Sequence, residues 1–398
     1  MKWMKGSFRK GLLIALSVVF VASLVLAGCS SSGSNGDVIK IGGLFDLTGA
    51  TADVGKPYAD GAKAYFEYVN DKGGINGKKV QLIDIDYAYA VPQALEAYKK
   101  LTQQDKVVGI LGWGTGDTEA MKELIAEDKI PYISGSYSEN LTDVAAHPYN
   151  FLAAATYSDQ ARTAIKWIKD NWTESRAPRI ALIYNDTPFG RSPVEDAKQF
   201  AAEHGVEVVD EQVVELSSLD ASSQLLNMRG KNPDFAFINQ TWGATATILK
   251  DAHRLGIETK FIGLNWAAGE GLIPLAGEAA EGFIGMIQFA FPYEEGIEGL
   301  KEVEEYLTSK GKTMADINQK FIQGWTSAKI MLEGARLAGD NVTGESLKAG
   351  LEKLNNYETG GLAAPVTFSA DSHRGTTQVR FAEVRNGKFE IFTDYIGH

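Results

Sequence analysis

The regular alternation of predicted strands and helices along most of the chain is the feature that most constrains its fold. Short apolar segments such as Val38–Leu44, Val80–Ile85 and Val107–Leu111 alternate with amphipathic segments such as Tyr58–Asn70, where apolar side chains recur at helical spacing. Consecutive parallel strands need crossover connections of a dozen or more residues, usually helical. This order therefore predicts an α/β protein whose sheets are mostly parallel.

The alternation occurs twice, which predicts two doubly wound α/β units. It restarts after a loop containing Pro148, with a helix predicted at Ser158–Trp172 and a strand at Arg179–Tyr184. Three helical stretches follow near 296–310, 318–338 and 344–354, and Asn386-Gly387 between two apolar runs predicts a hairpin. The simplest arrangement packs the late helices on the first unit and the hairpin on the second, with a cleft between the units.

Composition and charge exclude two broad classes of protein. The chain has 398 residues, of which 44% are hydrophobic, enough for two domains with ordinary cores. A disordered chain is therefore excluded. The net charge is −12, and the one cluster of basic residues lies within the first ten positions. A general nucleic-acid binder needs a basic surface, so this class is also excluded.

The first 37 residues have the pattern of a targeting segment. Residues 1–10 are cationic, residues 11–26 are apolar and uncharged, and Leu26-Ala27-Gly28 precedes the single cysteine, Cys29. An apolar run of 16 residues is short for a membrane span, which needs about 20, and typical of a signal peptide. The pattern resembles a bacterial lipoprotein signal. It predicts a signal peptide at 1–28, lipidation of Cys29 and a flexible tether at 29–37, with an uncleaved anchor helix as the alternative.

Motifs for catalysis and cofactor binding are incomplete in this sequence. Gly49 to Lys56 differs from a phosphate-binding loop in its glycine spacing and in the proline at position 57, and we interpret it as a turn. The segment from Gly112 has Asp117 where a dinucleotide loop needs its third glycine. The five histidines are scattered and are interpreted as surface or capping residues. We expect neither enzymatic activity nor a cofactor or metal.

Aromatic and hydroxyl residues follow most of the predicted strands. In open α/β sheets, ligands bind beyond the carboxyl ends of the strands. One aromatic residue there commonly packs a loop, whereas a whole series favours a ligand cleft. These loops lack Lys and Arg, so a ligand carboxylate would be held by neutral donors and a helix N-terminus. The candidate ligand-binding residues are Trp113, Gly114, Thr115, Ser136, Tyr137, Ser138, Phe189, Thr241, Trp242 and Asn265, with Phe45-Asp46, Tyr87 to Tyr89 and Trp266 in equivalent positions.

Five segments together resemble the branched-chain amino-acid type of periplasmic binding protein. They are Ile39–Gly49, Val69–Gly77, Ile130–Ser134, Tyr184–Gly190 and Ala280–Phe283, with Gly61-Ala62 on the first predicted helix as a further match. The resemblance extends over residues 37–398. It implies the type I fold, in which crossing strands join two lobes around a ligand cleft. Lobe one would comprise 38–156 plus 288–361, and lobe two 157–287 plus 362–398. The resemblance also implies a membrane partner, the permease of an ABC importer.

The resemblance also implies roles for individual residues. A ligand carboxylate would be held by Trp113 to Thr115 with Ser136 and Ser138, while Phe189 would cover the ligand and Thr241 or Trp242 would contact it. In amino-acid binders an acid after the strand ending at Gly263 holds the α-ammonium group, and here that place is taken by Asn265. Either another acid substitutes or the ligand lacks the amine. The acids that could substitute are Asp46, Asp159, Asp186 and Glu270.

These expectations define a binding protein outside the cytoplasmic membrane, anchored in the cell envelope by lipid. It would capture an apolar amino acid, branched-chain or aromatic, or a related small carboxylate or amide, because an aromatic cleft suits an apolar group. It would close over the ligand by hinge motion and deliver it to the permease. The alternative is a ligand-sensing receptor module of the same fold that signals to a membrane partner.

The first testable prediction concerns Cys29. Cys29→Ser removes the thiol that would accept the diacylglycerol, so we expect an uncleaved precursor or release of the protein from membranes. Incorporation of radiolabelled fatty acid into the wild-type protein, compared with the variant, is the measurement. Absence of label from the wild-type protein would contradict lipidation.

Overall fold

Two parallel-sheet lobes make up the described part of the chain, residues 38–398, in a computed structural model. The prediction of two α/β units is confirmed. Cys29, the predicted signal peptide and the tether lie outside the described residues. Within residues 38–398, no helix combines the length and apolar character needed to cross a membrane.

Lobe one is built on a five-stranded parallel sheet with the strand order β2-β1-β3-β4-β5. Its strands are β1 (Ile39–Phe45), β2 (Val80–Asp86), β3 (Ile110–Leu111), β4 (Tyr132–Ile133) and β5 (Asn150–Phe151). The connecting helices are α1 (Ala52–Asp71), α2 (Val91–Lys99) and α3 (Thr115–Asp128). Because all neighbouring strands are parallel, the loops before these helices meet at one edge of the sheet.

Lobe two is built on a seven-stranded sheet with the order β12-β11-β10-β9-β8-β6-β7. Its strands are β6 (Arg179–Tyr184), β7 (Glu207–Val213), β8 (Phe235–Asn239), β9 (Lys260–Gly263), β10 (Ile284–Ile287), β11 (Arg380–Arg385) and β12 (Lys388–Ile391). Its helices are α4 (Tyr157–Asn171), α5 (Pro188–Arg191), α6 (Val194–Glu203), α7 (Ser222–Arg229), α8 (Trp242–Arg254) and α9 (Leu272–Ala276). Strands β6 to β10 are parallel, and β11 and β12 add an antiparallel edge.

The predicted hairpin at the end of the chain is confirmed. Arg385 at the end of β11 pairs with Lys388 at the start of β12, which leaves a two-residue turn. Asn386 and Gly387 have φ angles of 51° and 71°. Asn and Gly are the residues that adopt this left-handed backbone most readily, which explains why the dipeptide predicts the turn.

The late helices α10 (Glu298–Ser309), α11 (Gln319–Leu337) and α12 (Gly344–Leu351) return to lobe one. Helix α11 crosses α1 with the two backbones almost in contact. A Cβ atom on Gly324 would overlap the carbonyl oxygen of Tyr58, and one on Gly61 would overlap that of Phe321. These two glycines therefore set how closely α11 approaches α1.

Three segments connect the lobes and lie side by side. Leu152 bridges to Arg374, Phe289 bridges to Ala363, and the Gln288 amide donates a hydrogen bond of 2.9 Å to the Ala155 carbonyl. These contacts join the segment after β5, the segment after β10 and the segment before β11. A hinge of adjacent strands allows the lobes to rotate while each lobe keeps its own core.

Some predicted boundaries are wrong. Residues 49–56 were expected to form a turn, yet α1 begins at Ala52 and contains Pro57. Pro57 removes only the N–H that would bond to the Asp53 carbonyl, and α1 continues for 14 residues beyond it, packed against α11, which offsets this loss. Strand β10 and helix α7 were not predicted, because each is short and neither has a clear apolar period.

Gly324→Ala should destabilise the protein by about 1–3 kcal/mol, because the added methyl group must push α11 away from Tyr58. Thermal unfolding followed by circular dichroism measures this. Gly116→Ala is the matched control, since its Cβ would meet Pro188 at an ordinary 3.4 Å. Equal stability of the two variants would contradict the close contact of α1 and α11.

Candidate functional site

A small cavity lies between the lobes, beyond the carboxyl ends of the parallel strands. Lobe one contributes loop residues and the starts of α1 and α3: Thr51, Val54, Tyr89, Trp113, Gly114, Thr115 and Gly135. Lobe two contributes residues from four of its own segments: Tyr157, Phe189, Thr241 and Trp266. Five of the ten candidate residues from the sequence line this cavity: Trp113, Gly114, Thr115, Phe189 and Thr241.

The N-terminus of α3 forms the polar part of the lobe-one wall. Gly114 is the N-cap residue and Thr115 is the first residue of the helix. The hydroxyl oxygens of Thr115 and Ser136 lie 2.7 Å apart, and the Trp113 indole N–H donates to the Thr51 hydroxyl over 2.8 Å. Helix N-termini attract anions, so this wall is suited to a carboxylate or a carbonyl oxygen.

Trp266, in the loop after β9, lies among the aromatic side chains of lobe one. Its ring centroid is 4.7 Å from that of Trp113, 6.2 Å from that of Tyr58 and 6.1 Å from that of Tyr137, to which it is nearly parallel. Its indole N–H donates to the Tyr157 hydroxyl over 3.0 Å. Trp266 thus joins the aromatic walls of the two lobes.

Tyr157 is a neutral hydroxyl in the cavity wall. It begins α4, whose N-terminus is fixed by a capping box between Thr156 and Asp159. Its hydroxyl group lies beside those of Thr115 and Ser136. Burial raises the pKa of Tyr157, so at neutral pH the phenol keeps its proton and can donate a hydrogen bond to a ligand.

The structure places the other five candidate residues behind the cavity wall. The Ser138 hydroxyl contacts Glu119 and Ser192. The Ser136 hydroxyl bonds to that of Thr115, which lines the cavity. The Tyr137 hydroxyl accepts a hydrogen bond of 2.7 Å from Gln323. Trp242 donates its indole N–H to the carbonyl of Ala268, and Asn265 exchanges hydrogen bonds with Gln160. A position after a strand locates a side chain near the cleft but does not decide whether it faces the ligand.

The four acids considered as partners for a ligand ammonium group are engaged elsewhere. Asp46 accepts bonds from Gly49 and Thr51, and Asp159 pairs with Arg374. Asp186 pairs with Arg191 at the surface, and Glu270 accepts the backbone N–H of Gln319 over 3.1 Å. Among the described residues, no carboxylate lines the cavity.

Lys320, a fully buried lysine at the start of α11, was not predicted from the sequence as a site residue. Its Nζ donates to the carbonyl oxygen of Asn265 over 2.6 Å and to Oε1 of Gln319 over 2.9 Å. It also lies 5.1 Å from the ring centre of Trp266 and 5.9 Å from that of Trp242. The expectation that the strand-end loops lack basic residues is correct, but α11 brings a cation to them from a distant part of the chain.

Burial shifts the ionisation of three groups around the cavity. It lowers the pKa of Lys320 to about 7, against the opposing attraction of Glu270 and Asp53, and raises the pKa of Glu270 to about 7. It also raises the pKa of Asp117, on the first turn of α3, to about 6, although Tyr87 donates to this carboxyl over 2.8 Å. Within the described range, no cluster of three or more His, Cys, Asp or Glu side chains could hold a metal ion. The arrangement is suited to enclosing a small molecule.

The chain is similar in sequence to known binding proteins. A family model described as periplasmic binding protein matches residues 38–388. The Leu/Ile/Val-binding protein homolog 7 of Brucella suis is 27% identical over 339 residues, which cover 81% of each chain.

Solved structures show the same fold. A branched-chain amino acid ABC transporter protein from Thermus thermophilus, with bound valine, has a TM-score of 0.85 and 27% identity, covering 90% of this chain and 96% of its own. An ABC transporter substrate-binding protein from Aeropyrum pernix has a TM-score of 0.84 and 28% identity, covering 90% and 95%. Since the family model matches most of the chain, the chain belongs to the periplasmic binding protein family, whose members bind solutes and are not enzymes.

Proposed function

We propose that this protein is the extracytoplasmic substrate-binding lipoprotein of an ABC importer, and that it captures a small apolar carboxylate. An apolar amino acid, or a related acid or amide, would occupy the cavity between the lobes. The observation that carries this proposal is a cavity lined by aromatic rings and neutral hydroxyl groups from both lobes. Such a cavity binds a ligand only when both lobes contact it.

The lining of the cavity supports a ligand with an apolar group. Ligand pockets are lined mostly by apolar and aromatic side chains, with a few polar groups that orient the ligand. Val54, Phe189 and the two tryptophans give this cavity an apolar interior, which favours an aliphatic or aromatic group over a sugar or a polyamine.

The polar groups support a carboxylate or carbonyl end on the ligand. The start of α3 offers backbone N–H groups and the Thr115 hydroxyl, and Tyr157 offers its phenol. Thr241, the N-cap residue of α8, lines the cavity from lobe two, where Asp53 interacts with its side chain and accepts the Gly243 N–H. The donors of α3 and Tyr157 are neutral and already positioned by their helices, which lowers the cost of ordering them on binding.

Similar proteins support the transport role. The Thermus thermophilus protein is described as part of a branched-chain amino acid ABC transporter and contains valine, and the Brucella suis relative is named for leucine, isoleucine and valine. The proposed lipid anchor rests on the sequence around Cys29 alone.

A ligand screen tests the proposed function. Apolar amino acids, aromatic and aliphatic acids and their amides are compared with sugars, polyamines and phosphate by thermal shift, and hits are confirmed by calorimetry. A ligand at 100 times its dissociation constant should stabilise the protein by roughly 2.7 kcal/mol. Tight binding of a sugar, with no response to any carboxylate or amide, would contradict the proposal.

Thr115→Ala should weaken binding of the best ligand from this screen by tenfold or more. The variant removes a hydroxyl at the helix N-terminus, and a hydrogen bond to a charged group contributes about 1.5–3 kcal/mol. Calorimetric titration measures the effect. Ser138→Ala is the matched control, because Ser138 is behind the wall and bonds to Glu119 and Ser192. Equal loss of affinity in both variants, or in neither, would contradict the assignment of Thr115.

A further inference from the structure

A buried cation lies against the wall of the cavity. Lys320 is fully buried, and Trp266, which lines the cavity, is also the aromatic ring nearest to its ammonium group, at 5.1 Å. The Lys320 ammonium is held by the carbonyl of Asn265 and the side chain of Gln319. Only the width of one side chain therefore separates this charge from a bound ligand.

The negative groups nearby have hydrogen-bond partners of their own, and two of them, Glu270 and Asp53, also attract Lys320. Glu270 accepts the Gln319 N–H at the start of α11. Asp53 accepts the N–H groups of Val54 and Gly243 over 3.0 and 2.8 Å. Asp117, on the first turn of α3, accepts from the Tyr87 hydroxyl. None of these three acids is among the described residues that line the cavity.

These contacts decide between an amino acid and the same acid without its amine. A ligand ammonium in the cavity would lose its water, find no carboxylate in the wall and experience repulsion from Lys320. A ligand carboxylate would be attracted by Lys320 and bound by the neutral donors. We propose that Lys320 is a specificity-determining residue that makes the cavity select an apolar carboxylate without an amino group over the corresponding amino acid.

This inference rests on the proposed function and is tested with matched ligand pairs. Leucine is compared with 4-methylpentanoate, and phenylalanine with 3-phenylpropanoate, since the members of each pair differ only in the amino group. Calorimetry on the wild-type protein at pH 6.5, below the pKa of about 7 of Lys320, keeps most of this group charged. We expect the acid without the amine to bind at least tenfold more tightly in any pair that binds.

The Lys320→Met variant tests the role of the charge itself. It keeps the length of the side chain and removes the ammonium group. The affinity for the acid should therefore fall about tenfold, and the ratio of the affinities for the acid and the amino acid should decrease. Lys329→Met is the matched control, because Lys329 lies on the same helix but pairs with Glu302 over 2.6 Å. This control variant should leave the affinities for the acid and for the amino acid unchanged. Circular dichroism is used to check that each variant is folded.

The outcomes separate the two proposals. Equal or tighter binding of leucine or phenylalanine by the wild-type protein would overturn the selectivity and leave the proposed function intact. Unchanged acid binding by folded Lys320→Met would overturn the role of Lys320. Should that variant fail to fold, the wild-type pairs still decide the selectivity. If neither member of any pair binds and only a sugar or a polyamine does, the proposed function fails as well.

Discussion

The insertion of Trp266 among the aromatic side chains of lobe one is the interaction on which the rest of the site depends. Its ring packs near Trp113, Tyr58 and Tyr137, and its N–H reaches Tyr157. Aromatic pairs of this kind contribute about 0.5–1.5 kcal/mol each beyond the area they bury. Since one side chain of lobe two makes all these contacts, the ring that forms the cavity wall also brings the lobes together.

The charged groups behind this wall impose the next constraint. Lys320 lies at the N-terminus of α11, where the helix dipole disfavours a cation, and it is buried as well. Glu270 lies at the same helix end and offsets part of this cost through its charge. A buried charge costs stability even where acids nearby attract it. Retaining a costly cation next to the cavity is therefore better explained by ligand selection than by stability.

The two-lobe α/β fold could be predicted from the sequence because its signals are local. The spacing of apolar residues that is typical of strands or helices can be read within short stretches of sequence. Asn386-Gly387 specifies its turn through two φ angles. The start of α1 could not be predicted, because packing against α11 decides whether Pro57 is tolerated. The interpretation of all histidines as surface or capping residues is wrong for His373, which is buried and stacked 3.8 Å from Phe151.

The candidate site could be predicted only in part, because contacts between residues distant in sequence decide which side chains face the cavity. Loops after parallel strands converge by topology, so Trp113, Thr115, Phe189 and Thr241 could be located from their positions alone. Whether a side chain faces the cavity depends on partners that are distant in sequence, as the contact of Ser138 with Ser192 shows. Lys320 is 55 positions from Asn265, and no local pattern indicates that α11 brings the two together.

The contacts between the lobes explain how binding and closure are coupled. The Asp53 carboxylate of lobe one accepts the Gly243 N–H at the start of α8, and the Glu270 carboxylate of lobe two accepts the Gln319 N–H at the start of α11. Each lobe thus places an acid on a helix N-terminus of the other, where an anion is stabilised.

The ligand would contact Thr115 from one lobe and Thr241 from the other, so it gains its full set of contacts only when these bonds also form. A ligand can shift a conformational equilibrium only by its difference in affinity for the two states. Because the polar and aromatic walls of this cavity come from both lobes, a ligand that contacts both walls would favour the closed arrangement of the lobes.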